Sequence, residues 1–217
     1  MNGNQKKYQI SLKGILVFEL KSLWFRILFS KKPQFKFGHS DKKLLNLGCG
    51  SSRFEGWINA DFPSFRQKSK HEWSLDLRFP LNCEDNFWDG VFCEHTIEHL
   101  YPDQVARLLQ EVFRTLKHGS WLRITVPNLK RYVDYYCGKE VDKRFSSRGT
   151  GCEAIRSLTQ DYFHVSLWDA DLLKRYLNEA GFTEIKEVSF LEGTDPALLK
   201  DSESRAWETL YVEAKKN

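Results

Sequence analysis

Apolar residues in the first forty positions recur at helical spacing: Ile15, Leu16, Phe18, Leu20, Leu23, Trp24, Ile27 and Leu28. Pro33 and Gly38 then break the pattern. The expected organisation is an amphipathic helix with an extended linker over residues 1–40, followed by one domain over 41–217. From Lys43 the texture changes to alternating strands and helices. Leu44-Leu45-Asn46-Leu47 is a short apolar strand ending in a glycine turn. Residues 57–61 form a second strand that ends in Asp61, residues 73–77 a weaker third carrying Asp76, and residues 90–93 a fourth. Pro102 opens a long helix, since its missing N–H costs nothing in the first turn. Val105, Leu108, Leu109, Val112, Phe113 and Leu116 give that helix one apolar stripe. Its expected stop is Lys117-His118-Gly119, a basic last turn with a glycine. A fifth strand follows at 121–126, then a short helix with Tyr132, Tyr135 and Tyr136, and a polar loop at 146–151. Asp169 reads as the N-cap of a helix that Gly181 ends, and residues 184–190 and 207–214 alternate like late strands.

Strand–helix alternation of this kind predicts a mostly parallel sheet with helices on both faces. Ligands of such sheets bind outside the carboxyl ends of the strands. Functional residues are therefore expected at 48–52, Asp61, Asp76, Glu94-His95 and Pro127-Asn128, all at predicted strand ends.

Composition changes this picture in few places. A length of 217 residues with 41% apolar and 14% aromatic residues suits one globular domain with a real core. Charge is uneven: up to Lys43 there are ten basic and two acidic residues, so the arm is strongly positive while the remainder is mildly acidic. Either the arm has an anionic partner or it is a solvated face. A cover helix packed on the domain, a helix lying on an anionic membrane and a nucleic-acid contact are the three readings of the arm. The third has no recognisable module behind it. Residues 14–30 are interrupted by Glu19, Lys21 and Arg26 and are shorter than the ~20 apolar residues of a membrane span. No small-residue cleavage site follows them, which argues against a signal peptide. The five cysteines are odd in number and have no Cys-x-x-Cys spacing, so a disulfide framework or structural zinc is not expected. Free thiols fit a reducing cytosol. The expected location is cytoplasmic, with peripheral contact at the inner face of the membrane.

Gly48 and Gly50 let the backbone approach a ligand closely, although a Gly-x-Gly pair alone is as often a plain turn. No Gly-Lys-Ser/Thr follows, which excludes a phosphate-binding P-loop. Asp61 stands eleven residues after Gly50, where a carboxylate can accept hydrogen bonds from ribose hydroxyls. Asp76, followed by Leu77, is a third strand-end candidate, suited to adenine's amino group and ring nitrogen.

On these residues the chain resembles the class I S-adenosylmethionine-dependent methyltransferases. More narrowly, it is similar to bacterial members linked to surface-polysaccharide biosynthesis. The matching pieces are LNLGCGSSRFEGWINADF, LDLRFPL, FWDGVFCEHTIEHL, LLQEVFRTLKHGSWLRITVPNL, FHVSLWDADLLKRYLNEAGF and LYVEAKK, in order from Leu44 onward. The resemblance implies a Rossmann-like α/β fold with a seven-stranded sheet, six strands parallel and one antiparallel near the C-terminus. It also implies S-adenosyl-L-methionine as cofactor. Gly48, Cys49 and Gly50 would wrap its methionine part, and Asp61 would hold the ribose. Phe62, Asp76 and Leu77 would face the adenine, and Glu94 and His95 would lie under the sulfonium. The general pattern has an acid at Asn46 and often a glycine at Ser52. Asn46 can still hydrogen-bond the ammonium group but adds no charge.

Methyl transfer needs in-line alignment and, for an alcohol acceptor, a place for its proton. His95, His99 and His164 are the candidate catalytic groups, His95 first. The alternative for His95 is a ring that only packs on the cofactor. His95, Glu98 and His99 fall at i, i+3 and i+4, types that can bind a divalent metal if helical, with His164 as a fourth ligand. The spacing resembles the Glu-x-x-Glu-His metal motif of some methyltransferases, with His95 replacing the first Glu. The competing reading, with no metal, has Glu98 favouring a helix N-terminus and His99 packing internally. Residues 161–164 and Tyr132, Tyr135 and Tyr136 are expected on the acceptor side. The expected activity is O-methylation of a sugar or glycan precursor of the cell envelope. The alternatives are a small aromatic or lipid-linked acceptor, and a non-catalytic cofactor-fold protein of a glycan assembly complex.

Overall fold

The computed structural model of the chain describes residues 12–28, 42–62 and 72–217. The linker expected around Pro33 and Gly38, and the basic residues before Leu12, lie outside the described residues. In chain order the elements are α1 (Leu12–Leu28), β1 (Leu44–Leu47), β2 (Ile58–Asp61), β3 (Trp73–Ser74), β4 (Trp88–Glu94), α2 (Pro102–Thr115), β5 (Leu116–Pro127), α3 (Leu129–Tyr136), α4 (Gly151–Gln160), α5 (Ala170–Glu179), β6 (Thr183–Val188) and β7 (Thr209–Lys215).

The strands make one seven-stranded sheet in the order β3-β2-β1-β4-β5-β7-β6. β1 to β5 pair in parallel, and β7 runs antiparallel to both β5 and β6. Six strands therefore share one direction and β7 opposes them, as expected. The chain moves one way from β1 through β2 to β3, then returns to place β4 on the other side of β1. The switch of direction lies between β1 and β4, the place where sheets of this kind open a ligand crevice.

Alternation along the strands divides the core by face. Leu45 and Leu47 of β1, Val91 and Cys93 of β4, Leu122, Ile124 and Val126 of β5 and Leu210, Val212 and Ala214 of β7 belong to one buried cluster. Val105, Leu108, Leu109 and Val112 of α2 and Leu173 and Leu177 of α5 complete it. On the other face Leu44, Phe92 and Trp121 pack with Trp57 and Leu198. That face is covered by the β6–β7 connection, which carries two 3-10 turns, Pro196–Leu198 and Glu203–Arg205.

Local chemistry sets the helix ends. Asp169 caps α5 as expected, its carboxylate accepting from Leu172 N–H at 2.9 Å. Several boundaries differ from the sequence reading. α2 stops at Thr115, because Leu116 is drawn into the sheet opposite Trp88 and is fully buried. Pairing resumes at Trp121 opposite Gly90, so residues 117–120 bulge from the ladder. β3 is only Trp73–Ser74, because the Asp76 carboxylate accepts Arg78 N–H at 3.0 Å and turns the chain. The stretch read as a polar loop at 146–151 is a 3-10 turn, Lys143–Arg148, leading into α4. Thr150 and Glu153 form a reciprocal capping box there, with Thr150 N–H donating to Glu153 Oε2 at 2.8 Å. β7 begins at Thr209, while Trp207 packs edge-on against Phe145.

Among the described residues no helix is long and apolar enough to cross a membrane. α1 packs beside the β3 edge through polar contacts. Ser22 Oγ donates to Asp76 Oδ2 at 2.6 Å, and Glu19 accepts from Arg78 Nη1 at 2.6 Å.

Candidate active site

The strand ends at the switch point build a cavity of about 430 Å³ lined by Asn46, residues 48–52, Phe92, Glu94, His95, Ser202 and Arg205. Its floor is the glycine turn after β1. Gly48 and Gly50 have φ of 74° and 52°, which L side chains rarely adopt. A Cβ on Gly48 would lie 2.2 Å from Thr96 Oγ1, so only glycine lets β1 and β4 close here. The amides of the turn are satisfied internally. Gly48 and Cys49 N–H donate to Ala60 O at 2.8 and 3.0 Å, and Gly50 N–H donates to Asp61 Oδ2 at 2.6 Å. With these three N–H groups engaged inside the protein, the turn offers the cavity space and shape.

Asn46 is buried, and its amide donates to Ser52 O at 2.7 Å and Asn59 Oδ1 at 3.0 Å. Its Oδ1 is left as an acceptor on the cavity wall. Burial and then the Asp61 charge push the Cys49 thiol up to about 12, so it stays protonated at neutral pH. Burial also raises Glu94, whose Oε1 accepts Ser202 N–H at 2.8 Å. Asp61 accepts one N–H at each oxygen, from Gly50 and from Phe62, which leaves further lone pairs for ligand hydroxyls.

The structure does not bring every expected nucleoside contact onto this cavity. Phe62 stacks on Phe18 of α1 with ring centroids 4.7 Å apart. Asp76 is held by Ser22 and by both Nε and Nη2 of Arg78, and Leu77 packs against the main core. Burial raises the Asp76 carboxyl, but the Arg78 and Ser22 hydrogen bonds outweigh it and hold it below its usual range. α1 therefore covers the end of the site where Phe62, Asp76 and Leu77 stand.

A second cavity, of about 370 Å³, shares His95 and Arg205 with the first. His99, Tyr132, Arg148, Tyr162, His164, Trp207 and Glu208 also line it. Tyr135 and Tyr136 do not. Tyr135 packs on Phe145, and Tyr136 is exposed. Tyr132 donates its hydroxyl to Glu208, which also pairs with Arg148 at 3.1 Å. Arg205 makes no ion pair among the described residues. Ser202, Arg205, Trp207, Glu208 and Thr209 were not read as site residues from the sequence, since their segment carries no motif and reaches the site only through folding.

His95 sits at the junction of the two cavities with φ of 47°, a left-handed residue at the end of β4. Thr209 Oγ1 donates to Arg205 O at 2.7 Å, so it accepts from His95 Nε2, 2.8 Å away. His95 Nδ1 faces Glu98 Oε1 at 3.3 Å. The segment at 97–99 is a single 3-10 turn, so His95, Glu98 and His99 do not share a helix face. Glu98 is nevertheless the centre of the cluster. Its carbonyl accepts from Val165 N at 2.8 Å and Ser166 N at 3.2 Å, which sets His164 beside its carboxylate. His99 is exposed rather than packed internally, and its ring meets that of His164 at 4.8 Å. Burial lowers His164 and keeps that ring neutral near pH 7.

The sequence matches the family model described as methyltransferase domain over residues 25–187. Among solved structures, the chain is similar to a SAM-dependent methyltransferase from Archaeoglobus fulgidus, at 18% identity, TM-score 0.53, and 92% and 94% coverage of this chain and that one. It is also similar to a SAM-dependent methyltransferase described as a possible histamine N-methyltransferase from Thermotoga maritima, at 18% identity, TM-score 0.53, and 94% and 93% coverage. These likenesses show the fold. No curated protein matches the sequence. With the family match spanning more than half of the chain on a Rossmann-like seven-stranded sheet, the protein belongs to the methyltransferase-domain family and is a class I S-adenosylmethionine-dependent methyltransferase.

Proposed function

We propose that the protein O-methylates a sugar or glycan precursor of the cell envelope. The observation that carries this reading is the joined pair of cavities. One is floored by the glycine turn, the other is walled by aromatic rings, histidines and arginines, and His95 and Arg205 stand between them. The second cavity, at about 370 Å³, has the size of a small-molecule site. Tyr162 and Trp207 offer flat faces to a pyranose, and Arg205 offers charge to an acidic or phosphorylated sugar. A planar aromatic acceptor is the second reading, favoured by the same rings.

The first cavity fits S-adenosylmethionine chemically. Asn46 Oδ1 on the cavity wall is an acceptor for the ammonium group. The Asp61 carboxylate, bonded to Gly50 of the floor rather than lining the cavity, is an acceptor for the hydroxyls, and Glu94 supplies an acid for the positive end. Bound there, the cofactor supplies an electrophilic methyl group. The chain's task is alignment of the acceptor oxygen and removal of its proton. We assign the proton to the histidines around Glu98. His95 has both ring nitrogens engaged inside the protein, while His164, kept neutral by burial, is fit to accept one.

Labelled-methyl transfer onto a panel of sugar nucleotides and envelope glycans tests the reading. Transfer to one class is expected, and Arg205→Ala should raise KM for an anionic acceptor about tenfold or more. Transfer only to phenolic acceptors would replace the sugar with the aromatic class.

The exposed apolar residues of α1, among them Leu12, Leu16, Leu20, Trp24 and Ile27, stand within a strongly basic arm. That combination supports a peripheral contact with an anionic membrane in addition to packing on the domain. Sedimentation with phosphatidylserine vesicles is the check. The natural chain is expected to partition and the Leu16→Glu/Ile27→Glu double variant is not; equal partitioning rejects the membrane contact.

A further inference from the structure

We propose that Glu98, His99 and His164 form a divalent transition-metal site in the wall of the acceptor cavity. One ligand atom from each lies within 4.8 Å of the others, with Glu98 Oε1 and His164 Nε2 3.9 Å apart. A tetrahedral ion with bonds of about 2.0–2.2 Å needs ligand atoms roughly 3.3 Å apart, a closure within reach of side-chain torsions.

An independent observation points to a missing partner. Glu98 is 1% exposed, and neither carboxylate oxygen has a hydrogen-bond donor. His164 Nδ1 is also buried without a partner. His95 Nδ1 approaches Glu98 Oε1 at 3.3 Å without forming a hydrogen bond to it. Leaving a buried carboxylate unsatisfied costs several kcal/mol in general. A dication between Glu98 and the two imidazoles removes that penalty. An ionised carboxylate and a neutral imidazole are the forms that bind metals.

Two imidazoles and one carboxylate suit zinc or iron(II) and leave at least one coordination position free. His99 and His164 also line the acceptor cavity, so the free position faces it. The ion's role in catalysis rests on the proposed methyl transfer to a hydroxyl; ion binding itself does not. A hydroxyl oxygen on the ion loses its proton at lower pH. With His99 and His164 holding the ion, that proton passes to water in the cavity instead of to His164.

Chelator-stripped full-length protein titrated with Co²⁺ tests this without any turnover. The expected result is one ion per chain, with the intense visible bands of a four- or five-coordinate nitrogen–oxygen site that Zn²⁺ abolishes. Glu98→Gln and His164→Ala should each weaken Zn²⁺ binding at least about 100-fold. His99→Ala should do the same, and its exposed position makes it the variant least able to disturb folding. His118→Ala, remote from the cluster, should bind as the natural chain does. A weak octahedral spectrum, or binding unchanged by His99→Ala, overturns the proposal. Calorimetry with S-adenosylmethionine on the same samples separates the two readings. Intact cofactor binding with no ion bound rejects the metal alone.

Discussion

Arg123→Met is expected to lower unfolding stability by about 3–5 kcal/mol, because it strands two buried carboxylates. Arg123, Asp201 and Glu213 all have fully buried side chains. Arg123 Nε donates to Asp201 Oδ1 at 2.7 Å and Nη1 donates to Glu213 Oε1 at 3.0 Å. The same guanidinium donates to the carbonyls of Glu192 and Ser189 at 2.9 and 3.2 Å. Four groups on β7 and the β6–β7 connection therefore depend on one cation from β5. A Cβ on Gly193 would lie 1.9 Å from Glu213 Oε1, so the connection lies directly on the triad.

The effect should reach the site. The connection held by Arg123 brings Ser202 to Glu94 and Arg205 to both cavities. Urea unfolding should show the stability loss, and cofactor affinity should fall in parallel under folding conditions. Replacing all three charges by apolar residues of similar volume should recover part of the stability, since a removed triad leaves no stranded charge. A loss below about 1 kcal/mol for Arg123→Met would mean that water reaches the carboxylates.

Asp61→Ala is the second large effect, expected to weaken S-adenosylmethionine binding by about 100-fold or more. Two hydrogen bonds to a carboxylate contribute roughly 1.5–3 kcal/mol each, and about 2.7 kcal/mol is already a hundredfold. Asp61 also accepts from Gly50 and Phe62 N–H, so alanine loosens the glycine turn as well. Asp61→Asn separates the two contributions. It keeps one oxygen for the turn, so the melting temperature should stay near that of the natural chain while affinity drops. Titration calorimetry reads the result, and unchanged affinity in both variants refutes the ribose assignment.

The legible part of this protein was the part written in local periodicity. The strand-end positions of Gly48, Asp61 and Glu94 follow from short apolar runs closed by turn residues, and a parallel sheet puts those ends on one edge. The capping box at Thr150 and Glu153 was also legible as a Thr-x-x-Glu spacing, yet the weak apolar pattern beside it read as loop. Arg123 was not legible. Alternation with Leu122 and Ile124 places it on the opposite face of β5, where a charge ordinarily meets water. Only the β6–β7 connection, folded across that face, makes it buried. The end of α2 failed for a similar reason, since Leu116 fits the helical stripe but is claimed by pairing with Trp88.

By itself the sequence determined the order of the strands, the glycine turn at the switch point and the adjacent Glu98-His99 pair, because each depends on neighbours close in the chain. Tertiary structure alone decided that His164 lies 3.9 Å from a carboxylate sixty-six positions earlier, and that α1 rather than solvent meets Asp76. It also decided that Arg205 stands between the two cavities. Those contacts join segments with no shared periodicity, and only the packing of the whole sheet brings them within reach.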